Sequence, residues 1–125
     1  IEDERFREKL AAVEIELKAL ELTQLRVVAA DARRGKTGRP DPASSILKIK
    51  GSEIQQATTQ LVMQVMGPHA LPFHDQGIDG SNEPPIEPDY AATAAPGYFN
   101  YRKVSIYGGS NEIQKNIIAK AVLGL

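Results

Sequence analysis

The sequence predicts an all-α chain folded as an antiparallel four-helix bundle. Three observations carry this expectation. Apolar residues recur at spacings of three and four, the period of a helix face, rather than at two. Glycines and prolines cluster between these periodic runs and mark turns. No segment alternates apolar and polar residues in the manner of a strand, and there is no internal repeat.

The first helix is expected from about Asp3 to Arg34. Phe6, Leu10, Val13, Leu17, Leu20, Gln24 and Val27 form one seam, broken only by Gln24. Ile15, Leu22, Leu25, Ala29 and Ala32 form a second stripe. A helix of this length spans roughly 45 Å at 1.5 Å per residue. Two apolar stripes call for two neighbouring surfaces, so subunit packing is expected. Gly35 is the predicted stop, with Arg33, Arg34 and Lys36 at the negative helix end.

The turn-rich stretch GKTGRPDPASS leads to the second helix, expected from Pro42 to Met66 with Asp41 as its cap. Its buried face is read as Leu47, Ile54, Ala57, Leu61 and Val65. Gly51 lies inside it, which suggests close helix contact, and Gly67-Pro68 ends it. Residues 68 to 89 hold five prolines and two glycines and read as a long irregular loop, functional or mobile. A short alanine-rich piece, Tyr90 to Ala95, precedes a break at Pro96-Gly97. A third helix is expected over Tyr98–Tyr107, with Tyr98, Phe99, Tyr101, Val104 and Ile106 in the core. A fourth begins after Gly109 and is expected to bury Ile113, Ile117, Ile118, Val122 and Leu125.

Composition excludes several functions. The 125 residues fit one domain, and 15 basic side chains nearly balance 16 acidic ones. There is no overall pull toward nucleic acid or an anionic membrane, and no basic, aromatic-laced patch. Without cysteine there is no disulfide and no thiolate metal site. His69 and His74 read as solvent-facing loop residues rather than zinc ligands, so no metal is expected. No apolar run approaches a membrane span and no signal peptide is visible, so a cytoplasmic location is expected. The chain begins with Ile1, which suggests a fragment or a processed product.

The remaining signal is Gly108-Gly109 immediately ahead of a helix. Ser110 and Asn111 are good caps, and bare glycines leave the amide-rich helix start approachable by an anion or a carbonyl oxygen. A plain helix corner uses the same residues. The wording of the stretch goes further. IYGGSNEIQKNIIAKAVLGL resembles the C-terminal signature of the acyl-CoA dehydrogenase family through Tyr107, Gly109, Ser110, Asn111, Glu112, Ile113 and Gln114, with Lys115 for the usual arginine. Gln64-Val65-Met66-Gly67 is similar to the family's Gln-x-x-Gly stretch, and the long first helix resembles a bundle helix of that family. The resemblance covers nearly the whole chain, residues 1–125, but only the last third or so of a complete member; the N-terminal helical and middle β domains would lie outside it.

The resemblance implies an FAD-dependent oxidation of the Cα–Cβ bond of an acyl-CoA thioester. A carboxylate removes the α-proton, a hydride leaves Cβ for the flavin, and electrons pass to an electron-transfer flavoprotein. It implies a dimer or tetramer assembled through these bundles, or a heteromeric complex. Carried over residue by residue, Tyr107 and Gly109 would meet the substrate and Ser110, Asn111 and Glu112 the cofactor. Gln64 and Gly67 would meet the adenosine end of FAD from a neighbouring subunit.

The pattern fails at one place that matters. Gly108 occupies the usual position of the catalytic glutamate, and glycine cannot accept a proton. No catalytic residue is therefore assigned within the chain. The base lies on an upstream helix, belongs to a partner subunit, or has been lost with dehydrogenation itself. Glu112 is a poor substitute, because the helix start stabilises its carboxylate. Pro68, Ala70 and the segment Phe99-Asn100-Tyr101-Arg102 also depart from the family pattern. Arg102 and Lys103 are candidates for a phosphate contact, but read first as solvated bundle-face charges. The isolated chain is expected to be inactive and to self-associate. The competing reading is a helical oligomerisation or interaction module without chemistry, or a non-catalytic subunit of a heteromeric dehydrogenase.

Overall fold

The computed structural model describes residues 2–34, 41–72 and 88–125. Among them the chain is helical, with four α-helices and no strand, as the periodicity predicts. Helix α1 spans Glu4–Arg34, α2 Ala43–Met66, α3 Ala94–Asn100 and α4 Asn111–Ile118. Short 3-10 segments cover Gly67–Ala70, Asp89–Ala91 and Tyr101–Ser105, and a π-turn, Ala119–Leu123, follows α4.

Helix α1 starts where the sequence says it should. Asp3 Oδ1 accepts from the amides of Arg5 and Phe6 at 2.8 and 3.2 Å, so two of the four orphan donors of the first turn are satisfied. Arg33 and Arg34 occupy its last turn, opposite the negative end of the helix dipole. The expected stop at Gly35, with Lys36, lies outside the described residues. Asp41 joins α1 to α2. One carboxylate oxygen accepts from the Ala43 amide at 2.9 Å, and the other takes the Arg34 guanidinium at 2.7 Å. Pro42 stands just before α2, one residue outside the expected start. Gly67 ends α2 with φ of 53°.

Helix α2 is the central element. Helix α1 packs on it, and so do α3, the 3-10 segment Tyr101–Ser105 and α4. The α1 seam faces inward through Val27, which is buried, and through half-buried Phe6, Leu10, Val13 and Leu20. An ion pair braces the same contact, with Lys50 Nζ 3.2 Å from both Glu16 and Glu53. The second stripe of α1 faces away from the bundle: Ile15, Leu22 and Leu25 are all exposed.

Four expectations about elements and packing are corrected. The buried residues of α2 are Ser45, Ile49, Ser52 and Leu61, whereas Val65 is exposed and Leu47, Ile54 and Ala57 are half-buried. The third helix begins at Ala94, so Pro96-Gly97 lies inside it rather than before it. Pro96 falls in the first turn, where a missing N–H removes no intrahelical bond. Phe99 and Ile106 are exposed, and of that cluster only Val104 is buried. The apolar side of α4 and of the segment after it is not covered by the described residues: Ile113, Ile117, Val122 and Leu125 are exposed and Ile118 is half-buried. The amphipathic pattern of α4 is real, but it needs a surface from elsewhere. The expected loop 68–89 is described only at its ends.

Candidate functional site

The site is built on the short connection between the 3-10 segment and α4. Gly108 and Gly109 both take positive φ, 69° and 85°, which turns the chain back on itself. A Cβ at Gly108 would meet nothing within 4 Å, so this backbone is open to approach. At Gly109 a Cβ would stand 2.6 Å from Gln114 Nε2. The Gln114 amide folds back over the turn and donates to the Gly108 carbonyl at 3.2 Å. One side of the turn is therefore open and the other is closed by the chain's own glutamine.

Helix α4 begins cleanly. Ser110 is extended, with φ −60° and ψ 157°, and its hydroxyl accepts from the Ile113 amide at 3.4 Å. Asn111 does not project freely: its Oδ1 accepts from Lys48 Nζ at 2.7 Å and from Ser52 Oγ at 3.3 Å. Lys48 also donates to the Ser105 carbonyl at 2.9 Å. Glu112 is exposed in the first turn. Its carboxyl is held below the ordinary glutamate range first by its own backbone N–H, then by the Ser110 hydroxyl, with Lys115 and Lys48 adding smaller attractions. A carboxylate stabilised in this way is a weak proton acceptor at neutral pH.

Tyr107, Gly109, Ser110, Asn111 and Glu112 thus share one corner. Tyr107 also borders a groove of about 720 Å³, between α1, α2 and the 3-10 segment, whose walls include Leu17, Leu20, Leu47, Ile54 and Tyr101. Ser110 does not line it. Gln64 lies near the far end of α2, about 24 Å along the helix from Lys48 at 1.5 Å per residue, and Gly67 just beyond that end. They do not join the corner within one chain. Gln64 accepts from Lys9 Nζ at 2.8 Å, and nothing crowds Gly67.

A family model described as "Acyl-CoA dehydrogenase, C-terminal domain" matches residues 1–123. The chain belongs to this family. No curated protein and no solved structure matches the chain. The match spans the turn just described, and the all-helical architecture agrees with the membership.

Two features of this domain escaped the sequence reading. Lys48 and Ser52, one helical turn apart on α2, reach the corner from below; a buried serine carries no apolar signal, and lysine reads as a surface residue. Arg102 is not a solvated face charge. Its guanidinium donates to the Gln56 carbonyl at 2.9 Å, to Thr59 Oγ1 at 3.1 Å and to the Tyr98 carbonyl at 3.2 Å, and lies 4.2 Å from the centre of the Tyr98 ring. Gln56 answers by donating to the Arg102 carbonyl at 3.1 Å. Arg102 fastens the third helix to α2. His69 is exposed, and His74 lies outside the described residues. Among the described residues there is no cluster of metal-ligating side chains, and no helix is long and apolar enough to cross a membrane.

Proposed function

We propose that the chain is the C-terminal domain of an FAD-dependent acyl-CoA dehydrogenase that oxidises the Cα–Cβ bond of an acyl-CoA thioester. It contributes subunit interface and part of the cofactor and substrate site. One observation carries this reading: within the signature of its family, the backbone at Gly108 is open in left-handed geometry at the head of a capped helix.

The residues present fit such a guest. The open backbone at Gly108 admits a flat group without a Cβ in the way. Tyr107 and the side of Gly109 that Gln114 leaves open border the thioester, while Ser110, Glu112 and the amide nitrogen of Asn111, whose oxygen Lys48 holds, offer polar groups to the cofactor. When bound, FAD supplies the acceptor for the hydride leaving Cβ. Gly108 offers no proton acceptor, and the lowered Glu112 carboxyl makes that residue an anionic contact rather than a base. The α-proton then goes to a carboxylate outside the described residues, on an upstream helix or on a partner subunit. Gln64 and Gly67, remote from the corner, serve a second copy's cofactor. The uncovered stripes of α1 and α4 support assembly through this domain, and electrons leave to an electron-transfer flavoprotein.

The missing side chain at Gly108 favours a second reading, a non-catalytic subunit of a heteromeric dehydrogenase. One experiment separates them. The protein is purified at its natural length, and its flavin absorbance and thioester-dependent reduction of an artificial electron acceptor are measured. Bound flavin with turnover supports the dehydrogenase. Flavin or thioester binding without turnover supports the second reading. A colourless protein indifferent to thioesters sinks both.

A further inference from the structure

We propose that Lys48 is a positioning residue for the glycine turn: its single ammonium clasps both ends of residues 106–110 and thereby sets the backbone of Gly108 and Gly109. One acceptor, the Ser105 carbonyl at 2.9 Å, closes the 3-10 segment before the turn. The other, Asn111 Oδ1 at 2.7 Å, belongs to the first residue of α4 after it. Both ends of the turn are thus tied to one point on α2.

The turn needs such a tie. Two adjacent glycines at positive φ have the most backbone freedom to lose on ordering. The Gln114 amide on the Gly108 carbonyl is an exposed contact. The clasp, by contrast, is half-buried, and hydrogen bonds from a charged donor are the stronger kind. A cation also suits the Ser105 carbonyl, which belongs to the electronegative end of a helical segment. Ser52 supports the arrangement from the next turn of α2. Its hydroxyl donates to the Ile49 carbonyl at 2.8 Å and lies 3.3 Å from the same Asn111 oxygen. Helix α2 is itself held by α1 and by Arg102, so the turn is referred to the most braced element of the domain.

The structural part of this inference requires no ligand; its catalytic consequence rests on the function proposed above. Backbone order parameters of the isotope-labelled chain test the first. Gly108 and Gly109 are expected near the rigid value of about 0.85, falling below about 0.6 in Lys48→Met while α1 keeps its order. Lys48→Arg, which retains charge and two donors, keeps the turn ordered. If Lys48→Met does not fold, Asn111→Leu removes the acceptor from the other side and should loosen the same two glycines. A Lys48→Met turn as rigid as wild type overturns the inference, and so does an arginine variant as loose as the methionine one. Order lost throughout α1 also overturns it, since Lys48 would then hold the bundle rather than the turn.

In the natural-length protein, Lys48→Met should lower turnover per bound flavin on an acyl thioester about tenfold or more, because small misplacements of a substrate-facing backbone are costly. Unchanged turnover on a loosened turn overturns the catalytic consequence. Should the wild-type protein bind neither flavin nor thioester, the proposed function falls, and the order parameters still decide the clasp.

Discussion

Gln114 Nε2 occupies the space beside Gly109: a methyl group on that glycine would lie 2.6 Å from it. Gly108, its neighbour, has no such obstruction. The two glycines therefore answer to different constraints. Gly108→Ala should cost about 1–2 kcal/mol, the ordinary penalty of a side chain at left-handed φ. Gly109→Ala carries the same penalty and also displaces the Gln114 amide from the Gly108 carbonyl, adding about 0.5–1.5 kcal/mol. Chemical denaturation of the two single variants and of Gly109→Ala/Gln114→Ala checks this. The double variant should cost less than the sum of its parts, and strict additivity would contradict the arrangement.

Gly51 lies inside α2 without a steric reason. An added Cβ would meet only Leu20 Cδ2, at 3.9 Å, an ordinary contact. The close helix approach expected from the sequence does not demand glycine there. Gly51→Ala should raise stability by about 0.5–1 kcal/mol through reduced backbone entropy of the unfolded chain. Denaturation midpoints read it directly, and a loss of stability would show that the α1–α2 contact does require glycine at this position.

Acid should loosen the junction between α1 and α2. The Asp41 carboxyl is held below its ordinary value of 3.8, chiefly by the Ala43 amide and further by Arg34. A depressed pKa stabilises the fold when the group is ionised. The contribution is therefore full above about pH 4 and is lost as pH falls through the lower, folded-state value. Asp41→Asn should flatten the acid limb of a plot of melting temperature against pH. An unchanged limb would assign acid sensitivity to other carboxylates.

The outward stripe of α1 should make the chain self-associate. Ile15 is 69 % exposed and Leu25 59 %, and α4 and the turn after it add Ile113 and Val122. Contiguous apolar surface of this kind seldom persists on a soluble monomer. Sedimentation should show species larger than a monomer at micromolar concentration, shifting toward monomer in Ile15→Glu/Leu22→Glu. A wild-type monomer that stays stable would overturn the expectation.

The start of α1 and the end of α2 are legible because their signals are local: the apolar spacing begins at Phe6, and Gly67-Pro68 acts on its own neighbours. The start of α3 was misread because proline breaks helices in their interior but not in their first turn, and spacing alone does not reveal which position Pro96 holds. The isoleucines of α4 show the same limit from another side. Periodicity says that a face is apolar, not what covers it. Within the corner, the glycine pair and its capping serine stood out as residue types. Lys48 and Ser52 did not, because their role depends on residues 57 to 63 positions away in sequence, and no window along the chain contains both partners. Arg102 was hidden for the same reason, since its acceptors on α2 lie more than 40 residues earlier.

The central place of α2 fixes an order of assembly. Helices α1 and α2 are neighbours in sequence, and a helical hairpin of this kind closes quickly. The glycine corner has no footing of its own: Lys48 and Ser52 must already stand in a formed helix before Ser105 and Asn111 can settle on them. The corner is thus expected to dock after the α1–α2 hairpin. A nascent chain stalled short of Tyr107 would hold a finished platform with nothing yet seated on it.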